Sequence, residues 1–367
     1  MGFFRKRILR PLITIAVIAA PIVLFAKGGF SFTFGTSDDN YSYVLRDGVE
    51  NGAARVVDIA MLGAHDAFSH LIKTDSPVDP GEAEDSLLRN ETLGKFADGV
   101  FVRLARAQKS GAEALLSAGV RYFDVRLSYY ENDWYIKHGL ISGQLSLYLD
   151  EMIPFLKENP GEFIVFDLQH VYFTDAVSYD DLFTYLETYE VDGTSLLDFI
   201  HYNPLAVALG DLTYDQVTAS GTEAGLVVLA KADADASLPY HYERGNGDTA
   251  VINIRSLWHE TSDTATLLTG IRAEYDYLES TVIFDDIFRV NQAQKTGALG
   301  GSDLWDTIFG WSLLDMANNS NDKLVHESDF STWLEEMPIF MVDFANSAKG
   351  DFNQLANEAI IAYNQSL

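Results

Sequence analysis

The chain has 367 residues, 47% of them hydrophobic and 13% aromatic, which excludes disordered and collagen-like classes and provides for a large buried core. Lys and Arg number 25 against 54 Asp and Glu, a formal charge of −29 that opposes nucleic-acid binding through phosphate neutralisation. With no cysteine, disulfides, thiolate metal sites and cysteine nucleophiles are all excluded.

Residues 1–37 hold five of the cations, Arg5, Lys6, Arg7, Arg10 and Lys27, and no acid, so the remainder carries 20 cations against 54 acids, a formal −34. Arg5-Lys6-Arg7 followed by the apolar run Leu12–Ala26 has the n-region and h-region of an export signal. Residues 1–26 are therefore expected to be a signal peptide or a signal anchor, and the mature domain to be secreted or anchored at the extracytoplasmic face of the membrane. Leu24 stands where cleavage prefers a small residue, and the run is short for a span, so both forms fit. Residues 27–45, with Gly28, Gly29 and Gly35, read as a linker. No repeat and no Pro- or Gly-rich break divides 46–367, which reads as one catalytic-sized domain.

Short apolar runs then recur, and strands are expected at Val56–Leu62, Val120–Leu127, Trp134–Lys137, Phe163–Leu168, Leu226–Leu229, Val251–Ile254, Ile287–Val290 and Ile339–Phe344. Helical spacing falls between several of them: Leu145 to Leu156 with Pro160 beyond, Leu267 to Leu278, Leu304 to Met316, and Phe352 to Tyr363. This alternation predicts an α/β fold, a distorted TIM-type (βα) barrel in which the chemistry gathers where the strands end. Residues 73–110, with Asp75, Glu82, Glu84 and Asp85, form a long insertion after the first strand that suits either a lid or a solvated loop.

Two histidines follow strands directly, His65 and His138, and imidazoles at barrel strand ends suit paired acid and base work near neutral pH. Asp66 follows His65, and Asp343 ends the last strand. Asp124 and Arg126 alternate along Tyr122-Phe-Asp-Val-Arg-Leu and so share a strand face. Charges embedded in apolar strands are costly unless paired, and a structural ion pair accounts for Asp124 and Arg126; it does not account for histidines at two neighbouring strand ends.

These residues resemble a known family. Met61-Leu-Gly-Ala-His-Asp, Ala118-Gly-Val-Arg-Tyr-Phe-Asp-Val-Arg, His138-Gly and Phe155-Leu-Lys-Glu-Asn-Pro-Gly-Glu-Phe-Ile-Val together resemble the catalytic X region of the phosphatidylinositol-specific phospholipases C. Val342-Asp343-Phe344 sits where bacterial members place an Asp behind the first catalytic His. The resemblance implies that His65 is a general base oriented by Asp343 and that His138 is a general acid. It implies that Arg126 holds the phosphoryl oxygens, and that Asp124 orients Arg126 or His138. Attack by the inositol 2-hydroxyl would release diacylglycerol and a cyclic inositol phosphate from a phospholipid membrane substrate.

Calcium-dependent relatives hold their ion at the positions of Asp66, Asp124, Arg126 and Gln169. Here Arg126 is a permanent cation and Gln169 is neutral, so the resemblance favours the metal-independent bacterial arrangement, with no cofactor and calcium as the alternative. Bacterial members have a Lys where Gln169 stands, which leaves the head-group preference open, and Lys231 is the remaining cationic candidate near the inositol ring. His170, Trp258, His259 and Glu260 follow other strands on the same side. No protein partner is indicated. Two other readings are a glycerophosphodiester phosphodiesterase, a family that favours His-Arg-Gly and Glu-x-Asp metal motifs where this chain has His65-Asp66 and Asp124-Val-Arg126, and an inactive barrel that binds inositol lipid.

Overall fold

A computed structural model of the chain describes residues 40–82, 99–173, 177–202, 207–231, 241–245, 252–296 and 312–367. The expected signal segment 1–26, most of the 27–45 linker, the middle of the 73–110 insertion and residues 304–311 of an expected helix lie outside these residues.

The strands in chain order are β1 (Met61–Ala64), β2 (Val120–Tyr130), β3 (Asp133–His138), β4 (Leu140–Gln144), β5 (Phe163–Tyr172), a small β6 (Glu190–Val191) with β7 (Thr194–Ser195), then β8 (Gly225–Ala230), β9 (Tyr242–Glu243), β10 (Ile254–Leu257), β11 (Phe288–Gln292) and β12 (Ile339–Val342). Eight of them pair in the order β10-β11-β12-β1-β2-β5-β8-β9, every pair parallel. The first and last strands of this set are thus neighbours, the topology of a (βα) barrel with helices outside. β1, β8, β11 and β12 are buried along their whole length, as parallel strands covered on both faces must be.

No ladder joins β9 to β10 among the described residues. That seam is spanned by Asn253, whose backbone N–H reaches the Arg244 carbonyl at 3.4 Å and whose Nδ2 reaches the Glu243 carbonyl at 2.6 Å. The barrel is therefore distorted on one side and regular on the other.

On the regular side β1 is squeezed between β12 and β2. A Cβ on Gly63 would meet the Met341 Cα and the Tyr122 ring at 3.1 Å, so glycine at this place lets the strands close tightly beneath the site. β2 turns back through Glu131 and Asn132, both left-handed at φ 48° and 66°, into the antiparallel pair β3–β4.

Three sequence expectations are corrected. The linker ends earlier than 45, because Val44 and Leu45 belong to a short helix, α1 (Val44–Gly48), and are buried in the core. The run Val56–Leu62 supplies a strand only from Met61; Val56, Val57 and Ile59 are buried in turns below it, a distinction that apolar character alone does not make. The expected helix ending at Met316 continues to Val325 in α7 (Leu313–Val325). Its Asn-rich middle hides a buried face of Met316, Ala317, Ser320, Asn321 and Leu324.

The outer layer includes α2 (Ala112–Ser117), α3 (Leu145–Glu158), α4 (Tyr179–Thr188), α5 (Tyr214–Thr218), α6 (Thr264–Glu279), α8 (Phe330–Glu336) and α9 (Phe352–Asn364). α3 turns Leu145, Tyr148, Leu149, Met152, Ile153 and Leu156 inward at helical spacing. No helix among the described residues is long and apolar enough to cross a membrane.

Candidate active site

His65, Asp66, Asp124, Arg126, His138 and Asp343 leave different strands, yet all converge where β1, β2, β3 and β12 end. His65 follows β1, and its Nδ1 lies 2.7 Å from Asp343 Oδ1 at the end of β12. Its Nε2 faces Arg126 Nη2 at 3.3 Å, Asp66 Oδ2 at 3.4 Å and Asp124 Oδ2 at 3.9 Å. Arg126 Nε sits 2.6 Å from Asp66 Oδ1, and its Nη2 donates to Asp124 Oδ2 at 3.1 Å. His138 places Nε2 3.1 Å from Asp66 Oδ2 and Nδ1 3.0 Å from the Ala105 carbonyl. The two imidazole centroids are 6.4 Å apart and inclined at 75°, so the rings flank a space rather than touch.

Asp66 links the two rings, and its position is bought with local strain: it is left-handed at φ 40°, a conformation Asp tolerates better than most residues. Its N–H donates to Asp124 Oδ2 at 3.2 Å, and the next N–H, on Ala67, donates to the Asp124 carbonyl at 2.8 Å.

The charges shift one another strongly. Burial works to lower the His65 pKa, but the carboxylates of Asp66 and Asp343 outweigh it and lift the imidazole to about 9. Burial likewise works to raise Asp66, and Arg126, His138 and His65 outweigh it and bring the carboxyl down to about 2. Asp343 is pushed up by burial against the pull of His65. Both shifts in the His65–Asp343 pair act to keep a proton between them.

A cavity of about 400 Å³ opens over this cluster, lined by His65, Arg126 and His138 on one side and by Gln169, Trp258, Gln292, Lys295 and Thr296 on the other. Gln169 reaches it through a bulge. Val125 pairs with Leu168 and Arg126 with His170, so β5 carries Gln169 as an extra residue opposite β2. Trp258 donates from Nε1 to Thr296 Oγ1 at 2.7 Å.

Lys231 is not brought to this cavity. β8 stands one strand in from the seam, beside β9, and Lys231 lines a separate cavity of about 350 Å³ with Arg244, Arg255 and Phe284. His170 is exposed, and His259 packs against Gly270 on α6; neither lines the cavity of the paired histidines.

Sequence reasoning did not nominate Ala105, Gln108, Gln292 or Lys295. The Ala105 contact is made by a backbone carbonyl, which leaves no trace in residue type. Gln292 and Lys295 lie in Phe288–Thr296, a stretch where the family resemblance persists within an otherwise weakly matching region, yet no role was assigned to either residue. Asp167, held by Tyr122 at 2.6 Å and Arg244 at 2.6 Å beneath the site, was also unforeseen.

His65, Asp66 and Asp124 offer ligand atoms within 4.8 Å of one another, the beginnings of a cation site. The residues do not fit a resident calcium ion, however. The Arg126 guanidinium lies between Asp66 and Asp124 at 2.6 and 3.1 Å and neutralises the carboxylates such an ion would require.

No family model matches the chain. Among curated proteins, a stretch of 121 residues is 31% identical to PI-PLC X domain-containing protein 3 from Homo sapiens, covering 32% of this chain and 38% of that one. Over 133 residues it is 32% identical to the variant-surface-glycoprotein phospholipase C of Trypanosoma cruzi, covering 34% and 35%. The chain thus spans little more than a third of the length of the curated relatives it matches. Among solved structures it is similar to a mutant phosphatidylinositol-specific phospholipase C from Staphylococcus aureus, with TM-score 0.60 and 15% identity over 89% of this chain and 98% of that one. The enzyme from Listeria monocytogenes gives TM-score 0.57 and 18% identity over 88% and 98%. Over about a third of its length this chain is thus similar in sequence to PI-PLC X domain-containing proteins, and its barrel has the fold of the bacterial phosphatidylinositol-specific phospholipases C.

Proposed function

We propose that this chain is a phosphodiesterase that cleaves phosphatidylinositol or a related inositol phospholipid to diacylglycerol and a cyclic inositol phosphate. The observation that carries the reading is the pair of imidazoles flanking one cavity, each oriented through Nδ1 and each turning Nε2 inward beside Arg126 and Asp66.

In the proposed step, neutral His65 takes the proton of the inositol 2-hydroxyl at Nε2 as that oxygen bonds to phosphorus. The bond from phosphorus to the diacylglycerol oxygen breaks, and His138 gives that oxygen a proton from its own Nε2. Asp343 holds Nδ1–H of His65 and stabilises the imidazolium that forms. The Ala105 carbonyl fixes the His138 tautomer, and Asp66 lies 3.1 Å from its Nε2. Arg126 receives the charge that develops on the non-bridging oxygens. Because attacking and leaving groups belong to one molecule, holding the ring is a large share of the catalysis. The head group would meet Gln169, Gln292 and Lys295 on the far wall.

No metal enters this scheme, since Arg126 occupies the place between the carboxylates. The expected residence outside the cytoplasm, secreted or anchored by residues 1–26, is part of the same proposal and is motivated by the basic and apolar leader.

The test is turnover of phosphatidylinositol in neutral detergent with excess chelator, for the native chain and for His65→Ala and His138→Ala, followed by phosphorus NMR. The expected result is a cyclic phosphate product from the native chain alone. No turnover of any inositol lipid would overturn the function, inhibition by chelator would overturn the metal-free mechanism, and direct release of a non-cyclic product would overturn attack by the inositol hydroxyl.

A further inference from the structure

We propose that Gln108 is a positioning residue that holds His65 and Asp343 in register across the gap where β1 and β12 part. The inference rests on the catalytic reading above for its consequence, and on the following geometry for its substance.

The ladder between β1 and β12 ends at Ala64 opposite Val342, with one further bond from the His65 N–H to the Val342 carbonyl at 3.0 Å. One residue past each member of the pair the backbone turns left-handed, at Asp66 with φ 40° and at Phe344 with φ 53°. The two chains therefore diverge immediately beyond His65 and Asp343, and strand pairing no longer fixes their separation.

Gln108 fills that place and is fully buried. Its Nε2 donates to the His65 carbonyl at 2.9 Å and to the Val342 carbonyl at 3.0 Å, and its Oε1 accepts from the Ala345 N–H at 3.1 Å. A primary amide has two N–H donors and one carbonyl, and here each is directed to one of the two diverging chains. No other uncharged side chain of this length supplies two donors and an acceptor together.

The backbone around Gln108 is fixed to the same two chains. Ser69 Oγ accepts from the N–H groups of Ala107 and Gln108 at 3.0 and 3.2 Å, and the Ala107 carbonyl accepts from the Phe344 N–H at 2.7 Å. Three residues earlier, the Ala105 carbonyl meets His138 Nδ1. Residues 105–108 thus form a strap that touches the supports of both imidazoles. Asn321 does a smaller share of the same work by donating to the Asp343 carbonyl at 2.8 Å.

A residue that merely satisfies buried carbonyls and a residue that sets the His65–Asp343 geometry differ in what they move. The probe is the downfield proton resonance of His65 Nδ1–H, recorded by NMR on the full chain without substrate and assigned by its absence in His65→Ala. In Gln108→Met, which keeps the volume and removes the three bonds, the resonance is expected to shift upfield or broaden. Values of kcat are expected to fall roughly 10- to 100-fold with KM little changed, the size of effect that supporting shells and small misplacements produce.

A second variant, Ser69→Ala, loosens the strap while leaving the amide in place, and should give the same changes at smaller size. If Gln108→Met loses thermal stability but keeps the resonance and kcat, the proposal is overturned. If Gln108→Met does not fold, Ser69→Ala decides: an unchanged resonance and kcat overturn the proposal in the same way. Because the resonance is read without turnover, failure of the proposed activity would leave this test intact.

Discussion

Two arginines five residues apart on β2 show how the same residue type serves opposite ends of one barrel. Arg121 stands at the start of the strand, completely buried against an equally buried Glu162. Its register against β1 is skipped, since Leu62 pairs with Val120 and Gly63 with Tyr122. Each of its nitrogens is used: Nε on Glu162, Nη1 on the Leu116 and Val120 carbonyls, Nη2 on those of Tyr41 and Ser42. Arg126 stands near the end of the strand, paired with Asp66 and Asp124, but its side chain is 23% exposed and faces the cavity. Its Nε and Nη2 hold the carboxylates and His65. The lesson is that burial and pairing do not separate a structural cation from a chemical one; what separates them is whether donors face a space that a ligand can enter.

Substitutions at the two positions should therefore fail in different ways. Arg126→Gln is expected to reduce kcat/KM by roughly 10³- to 10⁵-fold, the range seen when a guanidinium that meets phosphoryl charge is removed, while the chain stays folded. A folded Arg126→Gln protein with near-native turnover would erase the distinction drawn here. Arg121→Met should do the reverse, destabilising the chain by about 3–5 kcal/mol because Glu162 is left buried and unpaired, with normal turnover per folded molecule. Denaturant melts paired with active-site titration separate the two outcomes.

A finer test uses pH. The folded His65 pKa of about 9 lies above the ordinary value of 6.5, so its contribution to stability is complete below pH 6.5 and is lost as pH rises through about 9. The proposed base is the neutral ring, so turnover should climb across the same window in which stability falls. Asp343→Asn removes a charge that raises the His65 pKa, and should move both curves to lower pH while lowering the plateau rate. A rate profile flat between pH 6.5 and 9 would assign the base to another group.

The parts of the site legible in the sequence were those carried by strand ends. His65, His138, Asp343, Asp124 and Arg126 each sit at or near the end of an apolar run, and a parallel barrel gathers such ends by construction. The parts that were not legible depend on local geometry. Gln169 enters the cavity through a bulge that alternation does not anticipate. Lys231 ends its strand as expected, yet it lines another cavity, shared with Arg244 and Arg255 from either side of the seam. Gln108 is one amide in a long insertion, and its role is set by carbonyls of chains distant in sequence. In the fold, the Asn-rich continuation of α7 and the buried turns before β1 were hidden for the same reason, because packing overrode weak local preference.

The neighbouring of β1 and β12 has a consequence for how the molecule comes into being. His65 and Asp343 are separated by 278 positions, and they meet only when the strand that opens the barrel pairs with the one that closes it. Contacts of such long range carry a large loop-closure cost and form late, so the His65–Asp343 pair is absent from any intermediate in which β12 has not yet docked. A chain that holds the β2–β3–β4 hairpins but has not yet docked β12 has His138 in place and lacks the carboxylate that raises the pKa of His65. The topology thereby acts as a timer: the His65–Asp343 pair exists only after β12 has been made and has docked on β1.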